Sequence, residues 1–329
     1  MFRKGILIIA YQYIGNMTVE IKENINLSDF SVFKIGGPAR FFVVVKSEDD
    51  LSEVLNLAKD KKLPIFILGS GSNILVSDKG FDGLVIKMDL QDLRIEDKKV
   101  YSSSGVSMAR VVNESIKAGL GGFEWGIGIP GTIGGSVRGN AGCFGNEMKD
   151  VVDTVWAINT KDFQKSIFTN TECDFHYRDS YFKHSSSFVI VSAVLTLPPG
   201  DLWASRKKIL EYTTHRSETQ DIGTKSAGCI FKNIPWEDVK NKQVVLKEFI
   251  DLQQFLNRST LPASYLIDQA GLKNKKIGKV YVSPKHANYI INERGGTAEE
   301  VRMLIALIKE RVHTKYNIFL EEEIQLVGF

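Results

Sequence analysis

The stretch EWGIGIPGTIGGSVRGNAGCFG, Glu124 to Gly145, puts eight of the chain's 28 glycines between Gly126 and Gly145. Glycine loses more backbone freedom on ordering than any other residue, so a cluster this dense needs a reason. It could be a linker, a run of structural turns, or a cradle where backbone approaches a ligand. Gly126-Ile-Gly128-Ile-Pro-Gly131 matches GxGxxG, but Pro130 lies inside it and no long helix follows. A dinucleotide fingerprint needs a strand, a tight turn, a helix and an acid about 20 residues on. The Rossmann reading is rejected. A second stretch, LGSGSNILVSD (Leu68–Asp78), runs from an apolar strand into Gly69-Ser70-Gly71-Ser72-Asn73. Successive small residues let backbone N–H groups converge into an anion-binding nest, and Ser and Asn add donors. Two such cradles in one domain favour a ligand with a long phosphate-bearing backbone.

Working outward, the 329 residues are 43% hydrophobic and 25% charged, as in ordinary soluble globular chains of two or three domains. A net charge of +3 makes no case for nucleic acid and does not hinder an anionic ligand. Cys143, Cys173 and Cys229 lack CxxC spacing, which fits a reducing compartment. Near the N-terminus, Arg3 and Lys4 precede a short apolar run that Tyr11, Gln12 and Tyr13 interrupt, without a cleavage site. The run is too short to span a bilayer. Residues 1–24 are therefore expected to be an extension, with translation starting at Met17 and the protein cytoplasmic, monomeric and without a membrane partner. The five histidines show no metal-ligand spacing, so no metal is expected.

Periodicity predicts strands at Ala39–Ser47, Leu63–Gly69 and Gly83–Met88, and a helix opened by the capping box Ser47-x-x-Asp50. A further helix over Ser107–Ala118 should close at Gly119, and strands should follow in VVDTVWAIN and SFVIVSAVLTL. The texture changes at Pro198-Pro199-Gly200. A basic helix (Leu202–Thr213), a helix capped by Thr297-x-x-Glu300 and a final strand IFLEEEIQLV come after it. Without strict βαβ alternation the expected class is α+β, with domains at 25–200 and 201–329.

In order, FKIGGPARFFV, LGSGSNILVSD, GIPGTIGGSVRGNAGCFG, YRDSYF, SAGCIFKN, LIDQAGLKNKKIG, VSPKHANYIIN and LEEEI resemble the UDP-N-acetylenolpyruvoylglucosamine reductase (MurB) family, over about Ile25 to Gly328. The resemblance implies an FAD-binding domain of the vanillyl-alcohol-oxidase (PCMH) type followed by a smaller α+β substrate-binding domain. It implies non-covalent FAD held by Lys34–Pro38, Gly69–Leu75, Gly131–Gly135 and Asn140–Gly142. Within these, Ile35, Gly36, Gly69, Ser70, Gly71, Ser72, Asn73, Gly131, Thr132, Gly134, Gly135, Asn140 and Gly142 are the expected contacts. NADPH is the implied hydride donor and a UDP-sugar the implied substrate.

The family reaction reduces an enolpyruvyl ether, so an acid and a carboxylate-binding cation are needed. Arg178 matches the carboxylate-binding arginine, whose paired donors suit a carboxylate. Cys229 stands at the proton-donor position, where many members carry serine; a solution thiol of pKa about 8.5 would remain protonated and be sensitive to thiol reagents. Glu323 aligns with the family's acid, and in a strand it shares a face with Glu321 while Glu322 points away. Tyr177, Lys232, Asn233, Gln269, Lys273 and Asn288 are the implied substrate contacts. Asp221 stands where proline is common, Ile234 precedes Pro235, and the stretch to Leu261 is longer than usual. The 51 positions from Arg178 to Cys229 suggest the type without a tyrosine-bearing lid. Two other readings remain at this point: a flavin oxidase of the same fold, and a non-catalytic binding protein.

Overall fold

The computed structural model describes residues 19–329. The proposed start at Met17 lies outside them. The extension does not reach residue 24, because Ile21–Asn26 forms β1 and pairs antiparallel with β2, Pro38–Val45.

β2 is followed by α1 (Glu48–Asp60). Ser47 Oγ accepts from Asp50 N and the Asp50 carboxylate accepts from Ser47 N, so the expected capping box is formed. Leu51, Val54, Leu55 and Ala58 make its buried stripe. After α1 come β3 (Ile65–Leu68), β4 (Ile74–Val76) and β5 (Phe81–Met88). The first sheet has order β1-β2-β5-β3, with β5 parallel to both β2 and β3. The Gly69–Asn73 loop therefore leaves the C-terminal end of the parallel edge strand β3, where open sheets place ligands.

β6 (Leu93–Glu96) and β7 (Lys99–Ser103) form a hairpin, and α2 (Met108–Lys117) is capped by Ser107 and stopped by Gly119 at φ +77. The glycine cluster holds a 3-10 turn (Glu124–Gly128), short α3 (Ile133–Arg138) and a two-residue hairpin, β8 (Gly142–Cys143) and β9 (Asn146–Glu147). Next come β10 (Val152–Asn159), β11 (Lys165–Thr169), α4 (Tyr181–His184) and β12 (Phe188–Thr196). They complete a second sheet of order β11-β10-β12-β7-β6.

α5 runs from Leu202 to Thr219, six residues longer than the pattern suggested. Its Ile209 and Tyr212 pack on the core of the second sheet with Val112, Trp125 and Leu197, and Ser205 Oγ donates to buried Glu124 at 2.5 Å. A boundary at residue 200 thus cuts through one packed unit; by packing, α5 belongs with what precedes it. Beyond α5, short β13 (Ile234–Pro235), α6 (Lys242–Glu248), β14 (Thr260–Leu261) and α7 (Ala263–Gln269) surround a core with β15 (Lys276–Ile277), β16 (Val280–Val282), β17 (Ile290–Asn292) and α8 (Ala298–Tyr316). The long Pro235–Leu261 stretch buries Trp236, Val239, Val245, Leu252 and Phe255 in that core. The final β18 (Gln325–Val327) is shorter than expected and pairs parallel with β4.

Candidate active site

The two glycine-rich loops, some sixty residues apart in sequence, meet. Ser72 Oγ donates to Pro130 O at 2.7 Å, Ser70 Oγ to Ser72 Oγ at 3.2 Å, and a Cβ added at Gly69 would lie 2.9 Å from Thr132 Oγ1. Gly71 takes φ +69 with its α-carbon against Phe30 O, a place no side chain fits. The backbone N–H groups of Ser70, Gly71, Ser72 and Asn73 donate to no acceptor among the described residues, and neither do those of Ile35, Gly36, Gly131 and Thr132. Orphaned donors converging on one region are what a diphosphate-bearing cofactor satisfies.

Not every expected contact faces this cradle. Asn140 is buried at φ +41, with Nδ2 donating to Glu147 Oε2 and His176 O and Oδ1 accepting from Lys149 N. It knots the β8–β9 hairpin to the Tyr177 loop, and its hydrogen bonds are used there. Gly134 packs against Ser104, to whose carbonyl its N–H donates at 2.9 Å. Gly135 N is turned to Thr132 Oγ1 as part of a cap. Gly142 O accepts from Arg178 Nη2 at 2.7 Å, so this glycine orients an arginine.

Arg178, Cys229 and Glu323 come together although they lie on three separate segments. Cys229 pairs with Tyr289 and Phe231 with Glu322, while Ile230 O accepts from Glu323 N at 2.8 Å. That ladder sets Glu323 beside the thiol. Arg178 Nε is 3.2 Å from Glu323 Oε1, an ion pair too poorly aligned to count as a hydrogen bond from that buried nitrogen. Arg178 also holds φ +56, a strained conformation for a long side chain. The three adjacent acids take three different cations: Glu321 bonds Lys232 at 2.5 Å, Glu322 bonds Lys309 at 2.9 Å, and Glu323 pairs with Arg178. Glu322 is thereby separated from Glu323, although the three acids precede the final strand, which begins only at Gln325.

Electrostatics follow from burial. Burial pushes the Glu323 carboxyl above its ordinary range, opposed by Arg178, Lys183 and Lys232. Burial and Glu323 push the Cys229 thiol up to about 12, against Arg178 and Arg216. The residue keeps some solvent contact, but its thiol is not poised to ionise near neutrality. Burial lowers and the neighbouring Glu323, Tyr177 and Cys229 raise the Arg178 guanidinium, with a net upward shift.

Tyr177 Oη accepts from Asn233 N at 3.3 Å, and Asn233 Oδ1 from Ala263 N, so both brace the floor of the site beside Lys232. Asn288 also serves the fold around the thiol. It is buried, and its amide exchanges two hydrogen bonds with the Phe231 backbone, clamping the strand that carries Cys229. Gln269 is exposed at the end of α7, where only its carbonyl is engaged, by Lys315. Lys273 is ion-paired to Asp268 at 2.7 Å and its charge reaches His286.

Sequence reading missed three cations. Lys183 Nζ donates to Arg178 O at 2.8 Å, and its charge is felt with those of Lys232 and Arg138 beside Glu323. Arg138 bonds Gln325 and Lys183 O. Arg216, near the end of α5, lies along Gly128 and acts on Cys143, Cys229, His286 and Tyr289. Lys183 lies just past the quoted YRDSYF. Arg216 carried no local signal.

Known proteins place this arrangement. Residues 39–161 match the FAD binding domain family, and residues 220–327 match the C-terminal domain of UDP-N-acetylenolpyruvoylglucosamine reductase. The reductase of Carboxydothermus hydrogenoformans is 36% identical over 310 residues, covering 94% of each chain. The chain belongs to this reductase family. The reductase of Caldicellulosiruptor bescii is 34% identical over 96% of this chain and 93% of its own. The crystal structure of the MurB reductase from Thermus caldophilus superposes with a TM-score of 0.72 at 28% identity, covering 94% of this chain and 99% of that one. The chain is therefore an FAD-dependent oxidoreductase of the MurB family. The fold is the FAD-binding domain followed by the family's C-terminal domain, as the sequence motifs implied.

Proposed function

We propose that this protein reduces UDP-N-acetylglucosamine enolpyruvate to UDP-N-acetylmuramate, a step of peptidoglycan precursor synthesis, with NADPH as electron source and non-covalent FAD. The observation that carries this reading is the convergence of Arg178, Glu323 and Cys229 beside the cradle. An oxidase has no use for a carboxylate-binding cation next to a protonated thiol. The bound flavin supplies the hydride. The chain's own residues manage charge and the proton. Arg178, held by Gly142 O, faces the substrate carboxylate and stabilises the enolate that forms as hydride adds to the methylene carbon. Cys229, with its proton secured, donates to the adjacent carbon, and the Asn288 clamp keeps its strand in place. Glu323, whose carboxyl burial pushes above its ordinary range, stands beside the thiol to polarise the intermediate or relay the proton. Lys183, Lys232 and Arg138 form a cationic rim suited to the substrate diphosphate, and Tyr177, Asn233 and Lys273 position the rest.

The test is one absorbance experiment. The yellow protein is bleached anaerobically with NADPH and then given UDP-N-acetylglucosamine enolpyruvate. Reoxidation by this compound, and none by UDP-N-acetylglucosamine, is expected. Bleaching followed by reoxidation only with oxygen would overturn the reading in favour of an oxidase. Flavin released into the supernatant by acid precipitation checks the non-covalent attachment.

A further inference from the structure

Cys229 has a neighbour across its strand whose polar end is unused. Cys229 and Tyr289 are antiparallel bridge partners, joined by Ile230 N donating to Asn288 O at 2.9 Å. Tyr289 N donates to His286 O, so the two residues face each other without a hydrogen bond between them. This is the closer of the two antiparallel arrangements, with α-carbons about 4.5 Å apart. Directly opposed residues project their side chains from the same face. Asn288, one position earlier, projects from the other face and clamps Phe231. Tyr289 and the thiol therefore lie side by side.

The ring is held in place. Ser283 N donates to Tyr289 O at 2.9 Å, and Ser283 Oγ accepts from Lys285 N at 3.0 Å and His286 N at 2.9 Å while donating to the Asp221 carboxylate. The Tyr289 and His286 rings meet with centroids 4.6 Å apart. Tyr289 is only 8% exposed, yet it belongs to none of the hydrophobic core clusters. Its hydroxyl hydrogen-bonds to no described residue, and it is not among the polar atoms sealed off without a partner. A phenol this deeply buried ordinarily finds a partner for its O–H, so the acceptor has to arrive from outside the chain. Burial and then Cys229 hold the phenol above its ordinary range, with Glu323 and Asp221 adding to this and Arg216 opposing it, so the group remains a donor. Arg178 leaves a bound carboxylate incompletely served. Its Nε is turned to Glu323 at 3.2 Å and its Nη2 donates to Gly142 O at 2.7 Å, which engages one edge of the guanidinium fork, while a carboxylate has about four acceptor positions. We propose that the Tyr289 hydroxyl is a substrate contact, donating to an oxygen of the enolpyruvyl group that Cys229 protonates, a role that presupposes the reaction proposed above.

The experiment compares the full-length, flavin-loaded protein with its Tyr289→Phe variant, which loses one oxygen and keeps the ring. Flavin content and thermal midpoint should match wild type. The Kd for UDP-N-acetylglucosamine enolpyruvate, read from the perturbation of flavin absorbance, should rise about tenfold, as for a lost hydrogen bond to a charged group. The inhibition constant of UDP-N-acetylglucosamine, which lacks the enolpyruvyl group, should stay within about twofold of wild type. Equal weakening of both compounds, or an unchanged Kd for the first, would overturn the contact. A Tyr289→Phe protein that melts lower or sheds its flavin would overturn it as well, because the hydroxyl would then serve the fold. The two levels separate in the same experiment. Reduced wild type that the enolpyruvyl compound fails to reoxidise removes the reaction and the contact together, whereas normal wild-type turnover with an unaffected variant removes the contact alone.

Discussion

Cys229 concentrates the chemistry of the site in one side chain. Its thiol is held protonated by burial and by Glu323. Such a thiol is a poor nucleophile at neutral pH, while remaining a stronger acid than an aliphatic alcohol. With Cys143 and Cys173 replaced by alanine, the folded enzyme should react with iodoacetamide near pH 8 far more slowly than the urea-unfolded chain, as followed by mass spectrometry. Equal rates would show that the thiol is not raised. The same shift has a sign in stability. Below about pH 8.5 folded and unfolded chains both hold the proton; above it only the unfolded chain releases it, so stability should decline from there towards pH 12, and the Cys229→Ser variant should lose less of it. For catalysis, Cys229→Ala should slow substrate-driven reoxidation by about 10²–10⁴-fold while leaving reduction by NADPH intact; Cys229→Ser should restore turnover. Arg216 gives a further residue-scale test. An added Cβ at Gly128 would lie 2.5 Å from its Cδ, the middle of a movable side chain, so Gly128→Ala should displace the guanidinium rather than unfold the protein. Turnover should fall by about tenfold or more in both Gly128→Ala and Arg216→Ala, with thermal midpoints close to wild type.

At the scale of elements, local chemistry was readable where it is complete within a few residues. The boxes at Ser47–Asp50 and Thr297–Glu300 formed because both partners of each bond lie three positions apart. The β6–β7 hairpin, by contrast, went unread although its strands alternate, because they are only four and five residues long and meet at a polar turn where Asp97 takes φ +52. Residue type alone also could not say whether an asparagine meets a ligand or ties a loop. Asn140 and Asn288 do the latter, because their amides are consumed by backbone groups that come close only in the fold. The glycine loops show the opposite case, since their small side chains and orphaned N–H groups follow directly from sequence. Gly71→Ala tests this. The new Cβ would press on the Phe30 carbonyl, which is backbone and cannot turn aside, at a φ of +69. A loss of about 1–3 kcal/mol in urea unfolding is expected, together with reduced flavin retention on gel filtration. Wild-type flavin content in a stable Gly71→Ala protein would mean that the loop does not hold the cofactor.

On the whole-molecule scale, the sequence suggested two successive domains, yet the chain is laced back through itself. Phe33, Ile35 and Leu75, from the flavin-binding part, sit in one core with Ile230, Leu266, Leu304 and Ile324. Asn292 Nδ2 donates to Phe33 O at 3.0 Å, and the last strand, β18, pairs with β4. The Asp78 carboxylate accepts from Ala298 N at 2.9 Å and Glu299 N at 3.2 Å, so an acid before β5 caps the longest helix of the C-terminal part. None of these contacts can be read from a linear pattern, because each joins positions more than 150 residues apart. Interfaces between domains are usually polar and permit relative motion, but this one shares a buried apolar core and a strand pair. The two parts should therefore unfold together. Ellipticity and flavin fluorescence should trace one coincident urea transition, and Asp78→Ala should shift both by the same amount, about 1–2 kcal/mol, through loss of an anion at a helix N-terminus. If Asp78→Ala moved the ellipticity transition and left the flavin transition in place, the α8 region would be unfolding on its own. The site would then be assembled from two independently stable halves rather than held by one core.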